Sequence, residues 1–217
     1  MSKPVIMALD TSKTAGFAVW DTARHVTAMK TGVLEFEPDH SVEYCAGQMG
    51  LKIVRLIREN NPDFIVMESA IKTTMNGAAA TIISNQLHGA VIATCTNMGV
   101  LWGTLAVQTW RAMFFGSGFK PAFKVHKLKK PDRKTGKLER IEYLWKDAAV
   151  EACERDGISL PSKKTIAHNA AEAAAMCFCW RNAIIHTDRD KLRFEELMKR
   201  RPDRKQEPGN DRPGAAA

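Results

Sequence analysis

The apolar positions along the chain follow two different periodicities, which predict strands and helices in turn. Short runs of apolar or alternating residues are typical of strands. Five runs fit this description: "PVIMALD", "TAGFAVWD", "TAMKTGVLEFE", "FIVME" and "VLWGTLAV". The first three follow one another so closely that they predict an antiparallel meander.

Longer stretches carry apolar residues at helical spacing and predict four helices. These stretches cover residues 41–60, 78–99, 141–155 and 165–185. The last one is rich in alanine and apolar nearly all round, so we expect that helix to be buried. The order of the elements is three strands, helix, strand, helix, strand, helix, helix. This order predicts an α/β fold with a mixed sheet.

Two segments differ in composition from this predicted core, which spans residues 1–185 as one domain. Residues 119–141 form a basic insertion that we expect to be a loop, with Phe119, Phe123 and His126 among its basic residues. Its candidate phosphate contacts are Lys120, Lys124, Lys127, Lys129 and Lys130. Residues 186–217 are polar, and "KRRPDRKQEPGNDRPGAAA" has the composition of a disordered tail.

The charge of the chain makes a polyanionic partner plausible. The 217 residues carry a formal net charge of +8, while the apolar fraction of 45% and charged fraction of 26% are those of a globular protein. A basic run is also compatible with a merely solvated face, so this alternative stays open for the insertion.

Cysteines and apolar segments indicate the compartment. The five cysteines are odd in number and form no CxxC pair, which indicates reduced thiols and neither a disulfide framework nor a zinc site. No charged residue occurs from Thr73 to Trp110, but polar residues and glycines interrupt that region, so a buried helix and strand explain it better than a membrane span. Without a secretory signal pattern at the N-terminus, we expect a cytoplasmic protein that does not contact a membrane.

Candidate chemistry comes from carboxylates in apolar surroundings. Asp10 and Glu68 each end a buried strand, and neighbouring strands would bring them to one edge of the sheet. In the last predicted helix, His168 and Asn169 lie four and three residues before Glu172 and share roughly its face. Oxygen ligands that converge in this way suit Mg²⁺ or Mn²⁺.

Each of these residues also has a structural interpretation. Asp10 can cap the turn formed by Thr11 and Ser12. Glu68 can be satisfied by a backbone donor, Glu172 can pair with a lysine, and His168 can be a core histidine. A coincidence of all four is less probable than any one of them.

The order of these motifs resembles the RuvC family of Holliday junction resolvases in the RNase H-like superfamily, in particular its phage-type and prophage-type members. The similar segments are "LDTSKTAGFAVW", "FIVMES", "NQLHGAVIATC", "VQTWRAMFFGSG", "KDAAVEACERDG" and "NAAEA", which span about residues 4–185. The resemblance implies an RNase H-like fold: a mixed five-stranded sheet, three antiparallel strands followed by parallel ones, flanked by helices.

The resemblance also implies roles for the candidate residues. Asp10, Glu68 and Glu172 would be catalytic acids that bind two Mg²⁺ ions, with Mn²⁺ as a substitute. Asn169 stands where the family often has another acid and would still act as a catalytic metal ligand through its carbonyl oxygen. His168 could contribute a nitrogen, so we expect a weakened or altered second metal site. An Asn169→Asp variant that gained neither activity nor metal affinity would argue against this role.

The implied activity is phosphodiester hydrolysis by a homodimer that nicks two strands of a four-way DNA junction symmetrically and leaves 5′-phosphates. Ile71 matches the position of a wedge residue near the junction centre, and Lys72 could reach a phosphate. Arg111 and the basic insertion would contact the DNA backbone.

Three other functions compete with this one. The sugar kinase, actin and Hsp70 superfamily also begins with an Asp-bearing strand, but this chain has Thr11 and Ser12 near the expected glycine and is too short for a doubled architecture. A non-catalytic branched-DNA binding protein on the same fold gains support from Asn169. A less selective nuclease that acts on flaps or forks is also compatible with the sequence.

Overall fold

A computed structural model describes residues 3–37, 39–70, 78–131, 136–187 and 190–200. Its strands are β1 Val5–Asp10, β2 Thr14–Asp21, β3 Lys30–Glu35, β4 Phe64–Glu68, β5 Leu101–Leu105, β6 Phe123–Lys127, β7 Glu139–Tyr143, β8 Ile184–His186 and β9 Lys191–Arg193. Seven of them form one sheet in the order β3-β2-β1-β4-β5-β8-β9, and β6 pairs with β7 in a separate hairpin.

The helices cover both faces of the main sheet. They are α1 Val42–Asn60, α2 Ala78–Asn97, α3 Val107–Phe115, α4 Trp145–Arg155, α5 Lys164–Phe178 and α6 Phe194–Arg200. Within the described residues, no helix combines the length and apolar character that crossing a membrane requires.

The predicted mixed sheet is confirmed. β1, β2 and β3 form an antiparallel meander, and β1, β4 and β5 run parallel to one another. These five strands are the five that the apolar runs predicted. Their two faces alternate as a period of two requires: Met7 and Leu9 pack towards α1 and α2, whereas Ile6 and Ala8 pack towards α5.

The end of the predicted domain needs a correction. The last buried helix ends at Phe178 rather than at residue 185, and a 3₁₀ turn from Trp180 to Asn182 leads into β8. β8 and β9 extend the sheet beyond β5, and α6 follows them, so the prediction of a disordered tail from residue 186 is wrong for residues 190–200. Residues 201–217 of the predicted tail lie outside the described residues.

The basic insertion also differs from its prediction. It is a hairpin of β6 and β7 rather than a loop, and Ile141 lies in β7, so α4 begins only at Trp145. The segment "ERIEY" alternates polar and apolar residues, a strand pattern that continues into the helical pattern of α4. The tip of the hairpin, residues 132–135, lies outside the described residues.

A glycine allows α5 to approach the sheet closely. Gly16 pairs with Asp10 across β1 and β2, and a Cβ atom built on Gly16 would collide with the backbone carbonyl group of Asn169. The buried alanines of α5 present equally small side chains to the sheet. The backbone of α5 therefore lies against β2 at the level of Asp10, which places Asn169 and Glu172 near the end of β1.

We predict that Gly16→Ala lowers the free energy of unfolding by roughly 2–3 kcal/mol, because two stretches of backbone must separate to admit a methyl group. The matched control is Gly47→Ala in α1, where a Cβ meets nothing within 4 Å. That control should leave stability unchanged or raise it by up to about 1 kcal/mol through helix propensity. Chemical denaturation measures both, and equal effects of the two substitutions would contradict the proposed close approach.

Candidate active site

Three carboxylates converge at one edge of the main sheet. Asp10 is the last residue of β1, Glu68 is the last residue of the parallel neighbour β4, and both follow the alternation that faces α5. Glu172 projects from α5 and is 6% exposed. The sequence analysis expected this convergence from two strands that each end in an acid.

Burial, and to a lesser extent repulsion by neighbouring acids, raises the pKa values of Asp10 and Glu68. Burial raises the pKa of Asp10 from 3.8 to about 7, with further increases from the charges of Glu172 and Glu68 and a smaller opposing effect of Lys146. Burial and then the charge of Glu172 raise the pKa of Glu68 as well. The indole Nε1–H of Trp110 donates to Glu68 Oε2 at 3.4 Å and opposes that rise. The site therefore concentrates negative charge where solvent screens it weakly.

Two cationic side chains offset part of this charge at Glu172. Arg111 Nη2 lies 3.6 Å from Glu172 Oε1, and Lys146 Nζ lies 3.4 Å from Glu172 Oε2. The guanidinium of Arg111 is stacked between two indoles, 5.3 Å from the ring centroid of Trp110 and 4.7 Å from that of Trp145. Glu172 thus pairs with a lysine, as its structural interpretation allowed, while it also faces the two strand-end acids.

Asn169 is held between the sheet and α4. Its Nδ2 donates to the backbone carbonyl of Thr14 at 2.6 Å, and its Oδ1 accepts from Lys146 Nζ at 3.0 Å. An aspartate in this position would lack the donor for the Thr14 carbonyl. The amide therefore fixes α5 to the turn after β1 and also positions the amino group of Lys146.

His168 is directed to a different neighbour from the one that its spacing suggested. Its Nε2 lies 3.1 Å from Asp147 Oδ1, and Lys164 Nζ lies 2.9 Å from the same oxygen. The structure brings Asp10, Glu68 and Glu172 together, with Asn169 beside them, but it pairs His168 with α4. A ligand role for His168 remains an untested prediction.

The turn after Asp10 is closed by Ser12. The backbone N–H of Ser12 donates to the Asp10 carbonyl oxygen at 3.1 Å, and the Ser12 hydroxyl donates to the Thr14 carbonyl at 2.9 Å. The turn is therefore closed by groups other than the Asp10 carboxylate. Behind it, the buried His88 lies 3.5 Å from the Thr11 hydroxyl and joins α2 to the turn.

The predicted DNA contacts fall into three groups. Arg111 lies in the site itself, whereas Ile71 and Lys72 lie outside the described residues. The predicted lysines of the insertion are on or next to the hairpin and are exposed. Lys124 and Lys127 belong to β6, and Lys120, Lys129 and Lys130 flank that strand.

The donor set fits a hard divalent cation, since three carboxylates converge on one place. Among the residues that the structure describes, however, no three acidic, histidine or cysteine side chains form an arrangement that encloses a metal as it stands. The amino group of Lys146 and the guanidinium of Arg111 contact the Glu172 oxygens instead. Binding of a cation by Glu172 therefore requires at least one of these ion pairs to open.

Two residues of the site, Lys146 and Trp110, are not among the predicted site residues. Lys146 falls inside the predicted helix of residues 141–155, and Trp110 ends the stretch without charged residues. Trp110 is indeed fully buried, but its indole N–H needs an acceptor and finds Glu68. A lysine in the first turn of a helix, where acids are favoured, was a signal that could have pointed to Lys146.

Comparison with solved structures finds this fold in RuvC from Thermus thermophilus in complex with a Holliday junction substrate. The TM-score is 0.54 at 13% identity, over 82% of this chain and 92% of that chain. A second structure of Thermus thermophilus RuvC gives 0.49 at 14% identity, covering 81% and 96%. The yeast mitochondrial Holliday junction resolvase Ydc2 gives 0.49 at 11% identity, covering 80% and 77%.

No protein-family model matches the chain, and no curated protein matches its sequence. At these identities the likeness to solved structures concerns the fold. The chain therefore has a RuvC-like, RNase H-like fold with its acids at the end of β1, the end of β4 and in α5.

We predict that Asp10→Asn stabilises the metal-free protein in alkaline buffer. Because the pKa of Asp10 is 3.8 when unperturbed and about 7 in the folded chain, folding takes up a proton between these values. The free energy of unfolding therefore falls as the pH rises from about 4 to about 7, and it reaches its lowest contribution from Asp10 above that range. The substitution should raise the free energy of unfolding by roughly 2–4 kcal/mol at about pH 8, and by much less at about pH 4.

Thermal and urea denaturation in a chelator measure this effect. Asp39→Asn, which removes the same charge from an exposed turn, is the control and should change stability little at either pH. Added Mg²⁺ should stabilise the wild type more than Asp10→Asn. A variant that is no more stable than the wild type at alkaline pH would show that Asp10 is not electrostatically strained.

Proposed function

We propose that the protein is a metal-dependent, structure-specific endonuclease that resolves four-way DNA junctions by paired symmetric nicks and leaves 5′-phosphates. The convergence of Asp10, Glu68 and Glu172 on one edge of an RNase H-like sheet is the observation that carries this proposal. The order of its motifs supports a phage-type or prophage-type member of the RuvC family, acting in the cytoplasm.

Asp10, Glu68 and Glu172 would hold Mg²⁺, or Mn²⁺ as a substitute, with two ions in each site. When bound, such ions lower the pKa of water and stabilise charge on the leaving 3′ oxygen. The rigid strand ends fix the two strand carboxylates, and the close contact of α5 with β2 fixes the third. Asn169 holds the Lys146 amino group beside the acids. In that position the amino group could leave Glu172 and bind a phosphate of the DNA.

Arg111 is suited to bind the scissile strand. Its guanidinium is held by Trp110 and Trp145, so little conformational entropy is lost when it contacts a phosphate. The exposed lysines of the hairpin, Lys124 and Lys127 among them, would bind phosphates further along the DNA and make affinity fall as salt rises.

A homodimer follows from the substrate. A four-way junction presents two equivalent strands, and two active sites related by a two-fold axis match them. α2 is the candidate interface, because it lies on the outer layer of the sheet and carries Ile82, which is 53% exposed.

A second candidate function is a non-catalytic branched-DNA binding protein. The ion pairs of Glu172 with Lys146 and Arg111 favour it, since they supply positive charge that a binding protein could use without metal. A less selective nuclease that acts on flaps or forks is the other alternative, because the same acids would cut any strand that reaches them.

Cleavage of a labelled synthetic four-way junction tests the proposal. We expect paired symmetric nicks in Mg²⁺ or Mn²⁺, with 5′-phosphate products, and little cutting of matched duplex, fork or single-stranded DNA. Asp10→Asn and Glu172→Gln should each lower the cleavage rate by roughly a hundredfold or more, since each removes a charged ligand.

Glu151→Gln provides the matched control, because Glu151 is an exposed acid on α4 and its loss should leave cleavage unchanged. Tight junction binding by the wild type without cleavage in either metal would favour the binding protein. Equal cutting of forks and junctions would favour the less selective nuclease.

A further inference from the structure

The β6–β7 hairpin exposes an apolar face. Phe123 pairs with Tyr143, and Val125 pairs with Ile141, so these four side chains lie on the same side of the two strands. Their exposed fractions are 57% for Phe123, 41% for Tyr143, 49% for Val125 and 53% for Ile141. We call these four residues the apolar face of the hairpin.

The opposite side of the hairpin is polar, which makes the exposure of the apolar face distinctive. Lys124 pairs with Glu142 and His126 with Arg140, and His126 contacts Glu142 at 2.6 Å. A protein that only needed a solvated basic hairpin would not place two aromatic and two β-branched side chains together in water. A contiguous exposed apolar patch of this kind marks a binding surface.

Aromatic side chains connect this face to the acids. The ring centroids of Phe123 and Tyr143 are 6.1 Å apart, and those of Tyr143 and Trp145 are 6.5 Å apart. The ring of Trp145 contacts the Arg111 guanidinium, which lies 3.6 Å from Glu172. Phe119, 42% exposed, lies 6.1 Å from Trp145. The aromatic row of Phe119, Phe123, Tyr143 and Trp145 thus runs from the hairpin to the candidate active site.

The charge around the row selects the class of partner. Between residues 119 and 143, the described residues include seven lysines and arginines but two acids. Aromatic rings that alternate with cations are the pattern by which proteins hold unpaired nucleic acid, because the cations bind phosphates while the rings stack on bases. A second copy of this face would carry the same positive charge and would be repelled.

We propose that the aromatic row is a stacking platform for unpaired DNA bases, which holds the strand that leaves the active site. The statement that the bound strand leaves the active site rests on the proposed function. The binding of unpaired bases rests on the residues of the hairpin alone. The apolar pair of Val125 and Ile141 would support the sugar and base edges beside the rings. Lys127, which the alternation of β6 places on the same side as Phe123 and Val125, would contact the phosphates of the same strand.

Substitution of rings by an aliphatic residue separates stacking from hydrophobic contact. The test variant is Phe123→Leu with Tyr143→Leu, which keeps the face apolar, and the matched control is Phe123→Tyr with Tyr143→Phe, which keeps both rings. Binding of a fluorescent oligothymidylate and of a four-way junction is measured over a range of salt concentrations. 2-Aminopurine placed beside the branch point reports how that base stacks.

We expect the leucine pair to bind both DNAs roughly tenfold more weakly or worse, with an unchanged slope of affinity against salt, and to leave 2-aminopurine stacked. The ring-exchange pair should bind within about twofold of the wild type. In contrast, Lys127→Ala should reduce the salt slope by about one. Thermal denaturation of each variant confirms that the main sheet is intact.

Equal DNA binding by the leucine pair and the wild type would overturn the inference. Sedimentation that shows the apolar face to be an interface between two copies would also overturn it. The same holds if the leucine pair no longer binds anionic vesicles but still binds DNA. Cleavage assays on the same samples distinguish the two proposals. If the wild type binds DNA through the aromatic row but cuts no DNA, only the proposed nuclease activity is contradicted. If the leucine pair binds DNA normally and the wild type cuts DNA, only the proposed stacking platform is contradicted.

Discussion

The constraint on which the site depends is the burial of three neighbouring carboxylates that the fold brings together. β1 and β4 are parallel neighbours, so their last residues, Asp10 and Glu68, share an edge of the sheet, and α5 adds Glu172 on the same side. This costs free energy in the absence of a bound cation, as the raised pKa of Asp10 shows. Arg111 and Lys146 lower that cost through Glu172, and divalent cations would lower it further.

The remaining elements hold these acids in place and connect them to the β6–β7 hairpin. Gly16 and the alanines of α5 allow a helix to lie unusually close to the sheet, so Glu172 cannot retreat from the acids. Asn169 ties the same helix to the turn after β1. On the other side, Trp145 supports Arg111 and continues into the hairpin. Contacts between side chains thus lead from the acids through Arg111 and Trp145 to the rings of the hairpin.

The elements that carry the three acids could be predicted from the sequence, because their local pattern of apolar residues matches their position in the fold. The strands that end in Asp10 and Glu68 were recognisable because their apolar runs are short and stop at a charge, and the buried helix bearing Glu172 was recognisable from its alanines. The hairpin was not, because "ERIEY" leads directly into a helical pattern and the lysines of the insertion suggested a loop. β8 and β9 have three residues each, too few for a periodicity to appear. The partner of His168 was also beyond the sequence, since spacing along α5 could not show that Asp147 on α4 lies closer to it.

We infer that Asp10, Glu68 and Glu172 bind a divalent cation, and that Lys146 and Arg111 neutralise these acids when no cation is bound. Anomalous diffraction from crystals soaked in Mn²⁺ is the decisive measurement. We expect an anomalous peak coordinated by Asp10 and Glu68, with Glu172 turned towards it and the Lys146 amino group displaced from its carboxylate. A map without a peak at this edge of the sheet under saturating Mn²⁺, with Lys146 still on Glu172, would show that these acids do not form a cation site.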